Sequence, residues 1–198
     1  MASGSGTNLQ AILDSVHGDG EIEVVGVVSD KPNAFALERA HTRGIETAVF
    51  PIGSYPDRDA RDAAVADWIT ERRTDLVVLA GYMALVTPSF LERFSNRVIN
   101  VHPSLLPAFP GLRAVDQALA RGVRVFGVTV HFVDEGVDTG PIILQRSIEL
   151  PYANDADEVL AQLHPIEHRL LPEAIRLIAR GRVRIDPENS RRIRLEED

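Results

Sequence analysis

Hydrophobic and polar positions follow two distinct periods along the first half of the chain. Apolar residues in NLQAILDSV fall at Leu9, Ile12, Leu13 and Val16, the spacing of one helical face, and EVVGVVSD is a short β-branched run closed by turn residues. ALERAHTRG predicts a helix stopped by Gly44, TAVF the strand after it, and DARDAAVADWITERR a longer amphipathic helix. DLVVLAGY is a continuous apolar run, as expected of a strand buried on both faces, and RVINVHP repeats the pattern. Helix-like and strand-like segments in alternation predict an α/β fold with a largely parallel sheet.

Beyond residue 120 the pattern changes. VRVFGVTVHFV and GPIILQRSIEL are two long strand candidates joined by DEGVDTG, which predicts an antiparallel pair. DADEVLAQLHPIEHRLLPEAIRLIARG has helical periodicity, with Asp155 or Asp157 as its start and Gly181 as its stop; Pro165 is expected to kink it or begin a new turn. NSRRIRLEED reads as a solvated tail. The length of 198 residues suits one large domain, taken as residues 1–185 with a tail at 186–198.

Composition narrows the classes. At 44% hydrophobic and 25% charged, the chain matches neither a disordered protein nor a membrane protein. Zero cysteines exclude disulfides and thiolate metal sites and make the cytoplasm the default compartment. A formal net charge of −8 argues against a nucleic-acid partner, because phosphate backbones are held by clustered Lys and Arg. It does not exclude a small anion, which a helix N-terminus and a few local donors can hold.

Three stretches carry candidate chemistry. In MASGSGTNLQ, Gly4-x-Gly6 precedes a helix and Asp30 closes the next strand, yet Leu9 stands at the third glycine position of a dinucleotide fingerprint and no Gly-Lys-Ser/Thr follows. Two readings remain: a monophosphate held by Gly6, Thr7 and Asn8, or polar residues that only cap the helix. In NVHPSLLPAFPG, Asn100 and His102 lie two apart at the end of a buried strand, so both project from one face; the bland alternative is a core histidine and a turn asparagine. DEGVDTGP offers Asp134, Glu135 and Asp138, and a carboxylate beside an imidazole favours the imidazolium. Asn, His and Asp together make an acyl-transfer site, unless the turn is only an exposed hairpin loop. A metal site of His102, His131 and an Asp is the weaker reading, with His131 better placed to support the site.

SGSGTNLQAIL, LAGYM, INVHPSLLPAFPG, GVTVHFVDEGVDTGPIILQ and IEHRLLPEAI, in this order over nearly the whole chain, resemble the phosphoribosylglycinamide formyltransferases, folate-dependent enzymes of purine synthesis. The resemblance implies a single-domain, Rossmann-like formyltransferase fold, mostly parallel with an antiparallel C-terminal extension. It also implies a glycinamide ribonucleotide substrate, 10-formyltetrahydrofolate as formyl donor, no metal, and a monomer or homodimer without nucleic-acid or membrane partners. By position, Gly6, Thr7 and Asn8 would hold the substrate phosphate, His164, Pro165, Ile166 and Glu167 would reach the same substrate, and Gly81 and Pro103 would line its path. Arg58, Met83, Ala84, Leu85, Val86, Asn100, Asp134, Glu135, Gly136, Val137 and Asp138 would contact folate. The catalytic trio would be Asn100, His102 and Asp138.

Departures from the pattern limit that carry-over. Ala84 stands where an arginine is familiar, so only backbone contacts transfer there; GLRAVDQAL lacks the histidines often found after the proline-rich turn; Pro165 falls inside the late substrate segment. The resemblance also implies a β-branched strand of about five residues before ASGSGTN. Met1 and Ala2 would be its last two positions, and the reading frame is expected to extend upstream with an apolar run such as Val-Val-Leu. Formyltetrahydrofolate hydrolase shares the trio but passes the formyl group to water, carries an N-terminal regulatory domain and has no use for a phosphate loop. Methionyl-tRNA formyltransferase, a second relative, needs a C-terminal RNA-binding domain. A non-catalytic nucleotide-binding module would use the loop alone and would not need the trio.

Overall fold

The apolar stripe of the first helix is buried as its spacing predicts: Leu9, Ile12 and Leu13 lie on the inner face of α1 (Thr7–Ser15). The computed structural model describes residues 1–196, so the last two positions of the segment read as a tail lie outside the described residues. The chain folds as two compact units, Met1–Asn100 and Val101 onward.

In the first unit, β1 (Val27–Ser29) pairs in parallel with β2 (Thr47–Val49), and β3 (Val77–Leu79) pairs in parallel with the start of β4 (Val98–His102). Met1–Ser3 runs alongside them as extended chain. Ala2 N–H donates to Val28 O at 2.9 Å, Ala80 N–H to Met1 O at 2.9 Å, and Ser3 N–H to Gly81 O at 3.1 Å. Met1 and Ala2 therefore hold the end-of-strand position expected of them. Helices α2 (Phe35–His41), α3 (Arg58–Glu71) and α4 (Pro88–Arg93) complete this unit. Its core includes Ala2, Leu9, Leu13, Val27, Ala36, Ala40 and Ile45.

Gly6 is the one position where α1 and α2 demand a glycine. It has φ 71°, and a Cβ built there falls 2.7 Å from Ala36 Cα. The missing side chain lets the two helices close.

In the second unit, β5 (Val125–Phe132) and β6 (Ile142–Glu149) form the antiparallel pair that the sequence predicts. The pairing slips by one residue between Val130 and His131, a β-bulge of the kind that re-aims a side chain. After α5 (Ala114–Ala120) comes α6 (Ala156–Ala179), which packs on both strands; its buried stripe includes Val159, Leu163, Leu170, Leu171, Ala174 and Ile175. Asp155 caps α6 by accepting from Glu158 N–H at 2.8 Å.

Two expectations need correction. α6 runs as one helix through Pro165 and Pro172, so no new helix begins at Pro165. Each proline forfeits one backbone bond, and the stripe buried against the sheet on either side holds the helix together regardless. The stretch read as a tail pairs as a hairpin of β7 (Val183–Asp186) and β8 (Asn189–Leu195), although most of its residues stay exposed.

Candidate active site

His102 ends β4 and is buried, 6% exposed. Its Nδ1 lies 3.3 Å from Asp138 Oδ2, and its Nε2 lies 2.9 Å from the carbonyl oxygen of Phe109. Both ring nitrogens thus face oxygens that only accept.

The proline-rich turn that follows His102 is stitched to the β5–β6 pair. Leu106 N–H donates to Thr129 Oγ1 at 3.1 Å, Thr129 Oγ1 donates to Ser104 O at 2.7 Å, and Gln145 Nε2 donates to Leu106 O at 2.8 Å. Ser104 Oγ donates to Ala108 O at 2.6 Å. Phe109 then takes φ 54°, presenting its carbonyl to His102.

Asp138 sits between two imidazoles. His131 Nε2 is 3.5 Å from Asp138 Oδ1, while His131 Nδ1 lies 2.7 Å from Phe132 O; the Gly111 amide donates to Asp138 Oδ2 at 2.7 Å. Burial alone would raise the Asp138 carboxyl. The hydrogen bond with His131, the Gly111 amide and the proximity of both histidines reverse that and hold it at about 2. Asp134 shapes the same loop, accepting from Gly136 N–H at 3.1 Å and Thr139 Oγ1 at 2.6 Å. Glu135, Gly136 and Val137 are exposed at its tip.

On α6, His164 and Pro165 are exposed, Ile166 is half-buried and Glu167 is buried. His164 stacks on His168 one turn later, ring centroids 6.2 Å apart, an i, i+4 pair legible in the sequence. No group of three or more His, Cys, Asp or Glu side chains able to hold a metal occurs among the described residues.

Gly6, Thr7 and Asn8 open α1 in the first unit, with Asn8 buried and no side-chain cap from Gly6. The first N–H groups of a helix have no acceptor within it, so this terminus suits an anion. Arg58 is exposed at the start of α3. Gly81 has φ 75°, and the loop after it is tied down at both ends. Met83 N–H donates to Ser3 Oγ at 2.8 Å, and Ser3 Oγ donates to Asp30 Oδ1. Asp62 Oδ2 accepts from Thr87 N–H at 2.7 Å, and Arg61 reaches Leu85 O at 3.3 Å. Between these anchors the side chains of Met83 and Leu85 are exposed, with Ala84 and Val86 half-buried. Asn100 is half-buried on β4 and Pro103 half-buried just after it.

Sequence reasoning missed the Phe109 carbonyl, the Gly111 amide and the Arg61–Asp62 pair. The first two are backbone groups and leave no mark on residue type. The pair did leave a signal: Arg61 and Asp62 fall one turn before buried Val65 and Ala66, so two charges occupy the apolar face of α3.

A family of formyl transferases matches residues 1–175, and the chain belongs to that family. Among curated proteins it is 40% identical over 177 residues to the phosphoribosylglycinamide formyltransferase of Bacillus subtilis, covering 89% of this chain and 91% of that one. It is 38% identical over 193 residues to the trifunctional purine biosynthetic protein adenosine-3 of Drosophila melanogaster, covering 96% of this chain but only 14% of that protein. The solved glycinamide ribonucleotide transformylase 1 of Symbiobacterium toebii superposes with a TM-score of 0.94 at 48% identity, covering 99% of this chain and 92% of that one. A formyltetrahydrofolate deformylase from Pseudomonas syringae superposes at 0.90 with 27% identity, and the chain spans 64% of it. The fold is therefore the mixed α/β formyltransferase fold, and no helix among the described residues is long and apolar enough to cross a membrane.

Proposed function

We propose that the chain transfers the formyl group of 10-formyltetrahydrofolate to the amine of 5'-phosphoribosylglycinamide, a step of purine (IMP) synthesis. The observation that carries this reading is the ionised Asp138, bracketed by His102 and His131 and fixed by the Gly111 amide, in a chain with an anion-suited helix N-terminus.

The folate co-substrate supplies an activated formyl carbon. The chain's residues suit such a ligand: exposed Met83 and Leu85 offer apolar surface for a flat ring, and their loop is pinned so that this surface is held in place. Arg58 and the Asp134–Asp138 loop complete the folate contacts. Gly6, Thr7 and Asn8 hold the substrate phosphate, and His164 to Glu167 with Gly81 and Pro103 orient the rest of that molecule.

As the amine attacks, negative charge develops on the formyl oxygen. The Asn100 amide and a His102 ring N–H stabilise it, as donors aimed at developing charge do. Asp138 keeps His102 oriented, and a water beside Asp138 relays the proton that the amine loses. One N–C bond forms and one breaks, so no covalent enzyme intermediate is needed. The chain works on small molecules in the cytoplasm, as a monomer or homodimer; its acidic balance and lack of cysteine support that setting.

The test is an assay with glycinamide ribonucleotide and 10-formyltetrahydrofolate. Tetrahydrofolate should form only when the amine is present. Formyl release to water without the amine would assign the hydrolase reaction instead, and binding of the ribonucleotide without turnover would assign a nucleotide-binding module.

A further inference from the structure

Asp138 has φ 54°, in the left-handed region that side-chain-bearing residues avoid. Aspartate enters this region more readily than most, yet a residue there stays put only where its surroundings hold it. Part of the restraint is local. Asp134 gathers Gly136 N–H and Thr139 Oγ1, and Gly140 is pressed so close to β5 that a Cβ there would fall 1.9 Å from Phe132 O.

One restraint comes from far along the chain. Arg191, on the C-terminal hairpin, donates through Nη1 to the carbonyl oxygen of Thr139 at 2.9 Å, across 52 positions of sequence. The hairpin that carries Arg191 is itself fixed. β8 pairs with β7 and packs on β6; buried Asp186 accepts from Arg194 Nε at 2.9 Å and from Glu188 N–H at 3.0 Å; Arg191 N–H donates to Asn189 Oδ1 at 3.0 Å. The Thr139–Gly140 peptide is thus gripped from two sides, by Arg191 at its carbonyl and by β5 at Gly140. Little freedom is left to the Asp138–Thr139 link that precedes it.

We infer that Arg191 is a positioning residue: by holding the Thr139 carbonyl, the C-terminal hairpin keeps the Asp138 carboxylate aimed at His102 and His131. The inference rests on the proposed role of that carboxylate in formyl transfer. It gives the exposed, arginine-rich end of the chain a part in the chemistry, acting through the loop and not by touching substrate.

The test uses the full chain with Arg191→Met, which keeps the aliphatic stem, and Arg191→Lys, which keeps a donor. In Arg191→Met, kcat should fall about fivefold, equivalent to about 1 kcal/mol of transition-state stabilisation. KM for glycinamide ribonucleotide and the urea midpoint should stay at wild-type values, and Arg191→Lys should recover at least half of the lost kcat. A readout independent of turnover is the NMR signals of the His102 and His131 rings, which should shift in Arg191→Met and return toward wild type in Arg191→Lys. Unchanged ring signals overturn the inference whether or not the chain transfers formyl groups. Signals that shift in Arg191→Met, where the wild-type chain itself shows no transferase activity, support the positioning role and overturn only the functional reading. A loss of kcat that tracks a lower urea midpoint, with no recovery by lysine, reduces Arg191 to a stability role and also overturns it.

Discussion

His102 and Asp138 meet through Nδ1 and Oδ2 at 3.3 Å, while the far nitrogen of the same ring meets the Phe109 carbonyl at 2.9 Å. A ring with acceptors at both ends has one orientation available. In the proposed mechanism, an oxyanion forming near Nε2 would meet a donor already aligned, in competition with a carbonyl that carries no formal charge.

Removing either partner should cost turnover and spare ribonucleotide binding. His102→Ala and Asp138→Asn should each lower kcat by about 10²–10³-fold, the range found when a developing charge loses its donor. KM for glycinamide ribonucleotide should change much less, because the proposed phosphate site at Gly6–Asn8 is untouched. Steady-state kinetics with each substrate varied in turn measures both quantities; wild-type-like turnover in either variant would remove these residues from the mechanism.

Acid should expose the same carboxylate through stability. The Asp138 carboxyl is held at about 2 against an ordinary 3.8, so its ionised form is favoured by the fold. That contribution is complete above the ordinary value and is lost as pH falls through about 2. Its size is on the order of 1–2 kcal/mol, allowing for partial exposure of the group. Asp138→Asn should be less stable than wild type at pH 6, and the gap should close between pH 4 and pH 2. Urea unfolding at pH 6, 4 and 2.5 tests this, and a gap of constant size would trace the difference to something other than ionisation.

Much of this molecule is legible locally. Local pattern places α1, α2, α3, α6 and the antiparallel pair, while the short helices α4 and α5 left no such signal. Long-range packing is not legible. Gly6 reads as a phosphate-loop glycine, yet its position is also dictated by Ala36, which no local pattern reveals. Pro165 reads as a kink or a new turn, yet α6 continues through it as one helix with its buried stripe on either side. RRIRL reads as solvated because its charges dominate, although Ile193 and Leu195 alternate with arginines in strand period. At the site, spacing left His102 and Asp138 open to bland readings, and only the motif resemblance tied them together. The bulge beside His131 and the backbone groups of Phe109 and Gly111 depend on strand pairing and turn geometry, which residue types do not encode.

Gly6→Ala separates the two demands on that position. The substitution places a methyl 2.7 Å from Ala36 Cα and Cβ and forces alanine into φ 71°. Backbone must move, so the expected loss of stability is about 2–4 kcal/mol. KM for the ribonucleotide should rise as the N-terminus of α1 shifts, with kcat at saturation nearly unchanged. Urea unfolding and kinetics on the surviving folded fraction test both, and unchanged stability would show that α2 yields without cost.

Tyr82 offers a test in the opposite direction. It is buried, and its hydroxyl meets no hydrogen-bond partner among the described residues. Burial pushes the phenol up to about 12; nearby Arg61 opposes this, while Asp30 and Asp62 add to it. Tyr82→Phe keeps the ring and removes the stranded hydroxyl, so stability should hold or rise by up to about 1 kcal/mol. A fall of more than that in urea unfolding would mean the hydroxyl is satisfied.

The Arg61–Asp62 pair tests whether the Met83–Val86 loop needs its anchors. Both side chains are about 2% exposed; Asp62 Oδ1 accepts from Arg61 Nε at 2.9 Å and its Oδ2 accepts from Thr87 N–H, while Arg61 reaches Leu85 O. Removing one partner, as in Asp62→Ala, strands a buried charge and should cost about 3–5 kcal/mol. Replacing both, as Arg61→Met with Asp62→Leu, removes the desolvated charges together and should restore most of that stability. The double variant removes both of these anchors on the loop. If the loop binds folate as proposed, the double variant should therefore fold nearly as well as wild type while its KM for 10-formyltetrahydrofolate rises severalfold and its KM for the ribonucleotide does not. A double variant with normal folate affinity would show that Ser3 and the chain ends alone hold the loop, and that the pair serves α3 rather than the site.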